Sequence, residues 1–246
     1  AKGEVKGVLE IFNKDIPCPS EEKLEFLEAL AVQAAIAIDN ATLFNKLQTS
    51  NTELVIAYDS TIEGWGYALE LRDKETEGHT RRVTEITVRV ARAHGIKEKD
   101  IVHMRRGALL HDIGKMGIPD SILLKKGKFT AEEEQIMHKH PEYAFQMLSS
   151  IAYLRPALDI PYCHHEKWDG SGYPRGLREK QIPLAARIFT MADTWDALRS
   201  ERRYHQAWSR QKVIDYIRAE AGTSFDPDLV DVFLANVENG APQPAG

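Results

Sequence analysis

Of the 246 residues in this chain, nine are histidines, most of them crowded between His79 and His165. His111-Asp112, followed by Ile-Gly-Lys115, is the strongest local signal. A His beside an Asp at a helix end offers one neutral nitrogen ligand and one carboxylate able to bridge two cations. The dipeptide alone is common, but it has companions: Glu75-x-x-x-His79, His140-Pro141, His164-His165, and Asp193 within Met-Ala-Asp-Thr-Trp-Asp. Residues four apart share a helical face, so Glu75 and His79 are placed to reach one metal, although Gly78 weakens that helix. His94, His103 and His138 have no companion motif and read as ordinary surface or core residues. Adjacent His164 and His165 point roughly 100° apart on a helix. Behind them runs Glu166-Lys-Trp-Asp-Gly-Ser-Gly-Tyr-Pro174, whose glycines allow close backbone approach to a ligand.

The elements that must position these residues are helices. Val83, Ile86, Val90 and Ala91 form an apolar stripe ended by Gly95, and Asp100 to His111 is a further helix stopped by Gly114. Thr130 caps a helix through Met147, with Glu133 at the capping-box position. Pro183 to Leu198, Ser209 to Ala221 and Pro227 to Val237 complete the set. Upstream, Ser20 is an N-cap, and Leu27, Leu30, Ala34, Ala37, Ala41 and Phe44 step in threes and fours like a coiled-coil seam. After a phase slip the seam resumes with Asn51, Leu54, Tyr58 and Ile62. Such a helix needs a partner: a parallel dimer is favoured over packing along the chain's own helical domain. Val8, Leu9, Ile11 and Phe12 suit a strand, which is unstable alone and belongs to a sheet. The tail from Gly240 has nothing to bury and is expected to be disordered.

The expected fold is therefore all-α. It comprises a strand remnant within residues 1–19, a long helix over 20–68, a helical domain over 69–238 and a tail over 239–246. Against 37 acidic residues stand 32 basic ones, and a net charge of -5 argues against a general DNA binder. It leaves room for a small phosphorylated ligand. Two cysteines, Cys18 and Cys163, make no disulfide framework and suit a reducing cytoplasm. No apolar run approaches the roughly 20 residues that cross a bilayer, so membrane insertion of this segment is not expected. Because the chain opens on Ala1 rather than Met, it is read as a piece of a longer protein.

Taken together, His111-Asp112-Ile113-Gly114-Lys115, His164-His165-Glu166 and Asp169-Gly170-Ser171-Gly172-Tyr173-Pro174 resemble the HD-GYP family of cyclic di-GMP phosphodiesterases, HD-domain enzymes of bacterial signal transduction. The resemblance runs from about Leu69 to Phe233 and implies an HD-type helical bundle. The residues before it are similar, more weakly, to the last strand and terminal helix of a GAF sensor domain.

The resemblance implies metal ligands at His79, His111, Asp112, His140, His164, His165 and Asp193, with Glu75 the additional ligand of three-metal members. These eight ligands cannot fill the roughly 18 positions of three six-coordinate metals, so water and substrate must share the site. A mixed His/carboxylate set without Cys favours iron, with manganese as the alternative, over structural zinc. Cyclic di-GMP would be opened by metal-bound hydroxide attacking phosphorus and cleaved through pGpG to GMP. Asp112 is the expected bridge, and Lys115 and Arg202 the expected phosphate contacts, with Tyr173 beside the substrate. Trp168 and Tyr173 are available to stack on guanine, although packing within the loop is the commoner role of such aromatics. His205 stands where the family carries Lys or Arg, which makes one substrate contact weaker or pH-dependent. Two other readings compete. One is a non-hydrolysing dinucleotide receptor signalling through the long helix; the other is a hydrolase of a different nucleotide, such as a mixed GMP-AMP cyclic dinucleotide.

Overall fold

The computed structural model describes residues 5–12, 14, 20–73, 78–201 and 206–238. The chain falls into two compact units, Ala1–Asp59 and Ser60–Gly246. Helix α1 runs Glu21–Asp73, with Glu21 and Glu22 in its first turn, where the helix dipole favours acids.

In the first unit the strand expected over residues 5–12 is not formed, and among the described residues there is no strand at all. The reason is the one that makes lone strands unstable: Val5, Val8, Ile11 and Phe12 have no ladder and stay exposed. Lys6 instead pairs with Asp39 of α1 at 3.0 Å. The seam residues Leu30, Phe44 and Leu54 are exposed by 47%, 67% and 53%, which leaves them open to a partner. The membrane expectation needs correcting for this helix. It contains an 18-residue window of mean hydropathy 1.3 with at most two charged side chains, so by length and composition it could cross a bilayer. Its many alanines are apolar without being bulky, and a search for bulky runs passes over them.

The second unit is built, among the described residues, from the last turns of α1 and nine shorter helices: α2 His79–Ala93, α3 Glu98–Leu109, α4 Asp120–Leu123, α5 Ala131–Met137, α6 His140–Ser149, α7 Asp159–Cys163, α8 Leu184–Arg199, α9 Arg210–Ala219 and α10 Pro227–Glu238. The stripe of α2 is buried as its spacing requires: Val83, Val90 and Ala91 are fully covered and pack with Met104 and Ala108 of α3, Phe189 and Ala192 of α8, and Phe233 of α10. A second cluster joins Ile62 to Leu109, Leu110, Ile113, Ala144 and Leu148. Ile62 is therefore a core residue of this unit rather than the end of the seam.

One local departure from expectation shapes the site. The single helix expected from Thr130 to Met147 is two. Thr130 and Glu133 form the capping box, but α5 stops at Met137, and α6 starts at His140 with Pro141 in its first turn, where proline's missing N–H costs nothing. The expected Glu75–His79 pair falls partly outside the described residues. α1 ends at Asp73 and α2 starts at His79 behind Gly78 at φ 71°, a left-handed conformation that suits glycine. Residues 74–77 lie outside the described residues.

Candidate metal centre

His111 and Asp112 sit in the turn that follows α3, and a 3-10 turn at Ile113–Gly117 carries Lys115. Gly114 lets this turn lie against the start of α6, since a Cβ there would stand 1.8 Å from the His140 carbonyl oxygen. His140 opens α6, His164 caps α7 with His165 next to it, and Asp193 lies in the middle of α8. Two sets of ligand-type side chains converge: Asp112 with His140, His164 and His165, and His79 with His111 and Asp193. The cavity they line, about 320 Å³, also has Asp73, Lys115 and Tyr173 in its wall. Phe189, fully buried, forms the apolar backing, its ring 4.9 Å from that of His111.

Hydrogen bonding fixes which nitrogen each ring turns inward. His111 Nδ1 lies 2.9 Å from the Ala108 carbonyl, His140 Nδ1 2.8 Å from that of Met137, and His164 Nδ1 3.1 Å from that of Ile160. A carbonyl only accepts, so each Nδ1 is the donor, and the neutral ring presents its Nε2 lone pair to the cavity. His79 follows the same rule with a carboxylate, its Nδ1 2.7 Å from Asp196 Oδ2. Arg82 holds Asp196 in turn, through Nε at 2.7 Å and Nη2 at 2.9 Å. Such outer partners orient metal-binding imidazoles and raise their basicity.

The inward atoms are then crowded. His140 Nε2 and His164 Nε2 face each other at 3.2 Å, and Asp112 Oδ1 lies 3.3 Å from the first and 3.7 Å from the second. Asp112 Oδ2 points the other way, 2.9 Å from His111 Nε2 and 2.7 Å from Lys115 Nζ. His79 Nε2 is 3.2 Å from Asp193 Oδ1. Imidazole nitrogens and a carboxylate gathered at these distances offer a cation several ligand atoms at once. The donor set of nitrogens and carboxylate oxygens fits a divalent transition metal.

The charge states of His140 and His165 agree with that fit. Burial pushes the His140 imidazole down to about 3 and lowers His165 as well, which keeps both rings neutral. Burial works against the Asp112 carboxylate, yet the charges of His111 and Lys115 hold it well below the usual range. Asp193, also buried, is held low by His79. For His111, burial is overcome by neighbouring Asp112, and its pKa is raised.

The structure thus brings together His79, His111, Asp112, His140, His164, His165, Asp193, Lys115 and Tyr173. Glu75, Arg202 and His205 lie outside the described residues. Although they are adjacent in sequence, His164 and His165 both reach the cluster, their ring centroids 4.1 Å apart. Tyr173 is packed among imidazoles at the cavity wall. Its ring stacks at 3.8 Å on His138 and at 4.7 Å on His165, so both faces are covered and neither is free for a base. The loop that carries it is shaped by buried Glu166, whose carboxylate accepts from the Arg175 and Leu177 amides, and by Gly172, where a Cβ would lie 2.3 Å from the Lys167 nitrogen.

Three participants escaped the sequence. Asp196 had a signal, since it stands three residues after Asp193, on the same face of one helix. His138 had none beyond its place two residues before His140. Asp73 had none at all.

An all-helical bundle with paired histidine and carboxylate clusters at its centre defines the class. The HD domain family matches residues 67–229, and the chain belongs to it. Among its curated relatives, the 3'3'-cGAMP-specific phosphodiesterase 2 of Vibrio cholerae is 36% identical over 217 residues, covering 87% of this chain and 40% of the relative. The cyclic di-GMP phosphodiesterase response regulator RpfG of Xanthomonas campestris is 38% identical over 195 residues, covering 78% and 52%. The chain spans about half or less of the length of these proteins. The solved structure of Bd1817, an HDG"Y"P protein from Bdellovibrio bacteriovorus, superimposes with a TM-score of 0.55 at 22% identity, over 68% of this chain and 53% of that one. At that identity the likeness is one of fold.

Proposed function

We propose that this chain is a metal-dependent phosphodiesterase that opens cyclic di-GMP by attack of water on phosphorus and carries cleavage through pGpG to GMP. The observation that carries the reading is the convergence of inward-turned Nε2 atoms on the two sides of Asp112. Cations held there would neutralise the phosphodiester and acidify an attacking water.

The chain's own residues have distinct parts in this. Asp112, one oxygen towards His111 and the other towards His140, would be the carboxylate shared between cations. Lys115 brings an ammonium to the cavity wall and binds a phosphate oxygen. With its faces covered, Tyr173 offers only its hydroxyl. Burial, and after it the Asp112 charge, raises the Tyr173 pKa, so the group stays a phenol and donates. Iron is the metal proposed, with manganese as the alternative. A third metal depends on Glu75.

The name of the Vibrio cholerae relative favours a second substrate, a mixed GMP-AMP cyclic dinucleotide. Both substrates share the phosphodiester chemistry and differ only at a base. The test is anaerobic turnover after loading with Fe(II) or Mn(II), each dinucleotide supplied separately and the products resolved over time. GMP as end product from cyclic di-GMP is expected. pGpG accumulating under full metal loading defeats the three-metal route, and binding without hydrolysis under either metal defeats the enzyme reading. Asp112→Ala is expected to abolish turnover and metal retention together.

A homodimer through α1 belongs to the same proposal. It is supported by the exposed Leu30, Phe44 and Leu54 along a seam of small alanines. Residues 1–19 as the end of a GAF-like sensor, and a cytoplasmic location, are likewise proposed from the sequence resemblance and the cysteine usage.

A further inference from the structure

Asp73, the last residue of α1, has a side chain only 5% exposed and lines the same cavity as the histidines. Its Oδ2 lies 3.3 Å from Lys115 Nζ, which also stands 2.7 Å from Asp112 Oδ2. The neighbouring Arg72 grips the backbone of the same turn: its guanidinium donates to the Lys115 carbonyl at 3.1 Å, to the Ile118 carbonyl at 3.0 Å and to Asp120 Oδ1 at 2.9 Å. Two consecutive residues at the end of one helix therefore hold one lysine, one by its main chain and the other by its ammonium.

We infer that Asp73 is a positioning residue for Lys115, and that the end of α1 sets where this ammonium stands in the cavity. The physical need is clear. With its oxygens serving cations, Asp112 would be a poorer partner for an ammonium, which those cations would also repel. A second carboxylate that balances its charge then helps to keep Lys115 in the cavity. Asp73 supplies that balance at 3.3 Å. The Arg72 fork fixes the separation, because a planar guanidinium spanning two carbonyls tolerates little displacement. A movement of the last turn of α1 would carry the ammonium with it. The role of Lys115 as a phosphate ligand is the one proposed above, and the inference rests on it for its consequence in turnover.

Two readouts separate the inference from that reading. Lysine reactivity is measured by trace labelling with acetic anhydride and peptide mass spectrometry on the metal-free and metal-loaded chain. Asp73→Asn is expected to speed labelling of Lys115 about ten-fold, the weight of one charge-assisted hydrogen bond. It should leave the metal content unchanged and raise KM more than it lowers kcat. Asp73→Glu is expected to restore slow labelling in part. Unchanged Lys115 reactivity in the Asn variant overturns the inference, and so does loss of metal, which would make Asp73 a ligand. Faster labelling with KM unmoved leaves the positioning intact and removes the phosphate reading of Lys115. Should the Asn variant fail to fold, Arg72→Lys provides the same measurement: it keeps the charge, loses the fork and is expected to speed labelling of Lys115, and unchanged labelling there overturns the inference.

Discussion

The ring of Tyr173 lies against the imidazole of His138 with centroids 3.8 Å apart and planes inclined by 17°. His165 covers the opposite face at 4.7 Å and 22°. The aromatic residue of the glycine-rich loop is thus fixed between a surface histidine and a metal-centre histidine, with only its edge and hydroxyl left to work. Tyr173→Phe preserves both stacks and removes the hydroxyl. Turnover is expected to fall about ten-fold or more with metal content and unfolding temperature unchanged, the weight of one hydrogen bond made in the transition state. If Phe matches Tyr in steady-state kinetics, the ring rather than the hydroxyl carries the contribution.

Asp196 touches no substrate, yet it should govern the metal. It accepts from His79 Nδ1 and is chelated by Arg82. Asp196→Asn weakens the acceptor and leaves Arg82 with a neutral partner. Metal affinity is expected to drop about 10- to 100-fold, as for other outer-shell partners of ligating histidines. Competition with a chelator of known affinity measures it, and an unchanged affinity would remove Asp196 from the machinery.

The metal-free protein should be acid-sensitive in a defined window. His140, held down to about 3 by burial, and His165, also lowered, refuse protons that the unfolded chain accepts below roughly pH 6.5. In that window the unfolded state binds more protons, so stability falls as pH falls, by up to about 1.4 kcal/mol per pH unit for each such histidine. The raised pKa of His111 acts only above the unfolded value: its contribution is complete at lower pH and is lost as pH rises through the folded pKa. The low carboxylates Asp112 and Asp193 add to the acid loss only near and below roughly pH 4. Melting temperatures of metal-free wild type and His140→Gln between pH 6.5 and 5 check this. The variant is expected to show the shallower slope, and equal slopes would contradict the neutral-histidine assignment.

Light scattering tests the exposed seam. Wild type is expected to have the mass of two chains, and Leu30→Glu with Phe44→Glu the mass of one, since each change would bury an unpaired charge in the interface. A monomeric wild type refutes the dimer. Co-flotation of α1 with lipid vesicles would assign its hydropathy to a membrane instead.

Much of the candidate centre was legible because its signals are local. His111 and His140 bond carbonyls three residues back, and His164 one four residues back, so helix-end geometry written into the chain orients those rings. The residue types and order of His111-Asp112, His164-His165 and Asp193 could therefore be read as a cation site, and the stripe of Val83, Ile86 and Val90 as a core face. The expected strand failed because pairing is not a property of one segment. The break between α5 and α6 was missed because the apolar pattern continues through residues 138–139, where one helix gives way to the next.

What the sequence determined by itself was the inventory: a helical chain with histidines and carboxylates in recognisable order. What only the tertiary structure decided was adjacency across long separations. Asp73 meets Lys115 over 42 residues and His79 meets Asp196 over 117. Tyr173 is covered by His138 because a loop after α7 folds back on the α5–α6 junction. Such contacts depend on how separate helices pack about Phe189 and its neighbours, and close packing is a property of the whole assembly that no local pattern encodes.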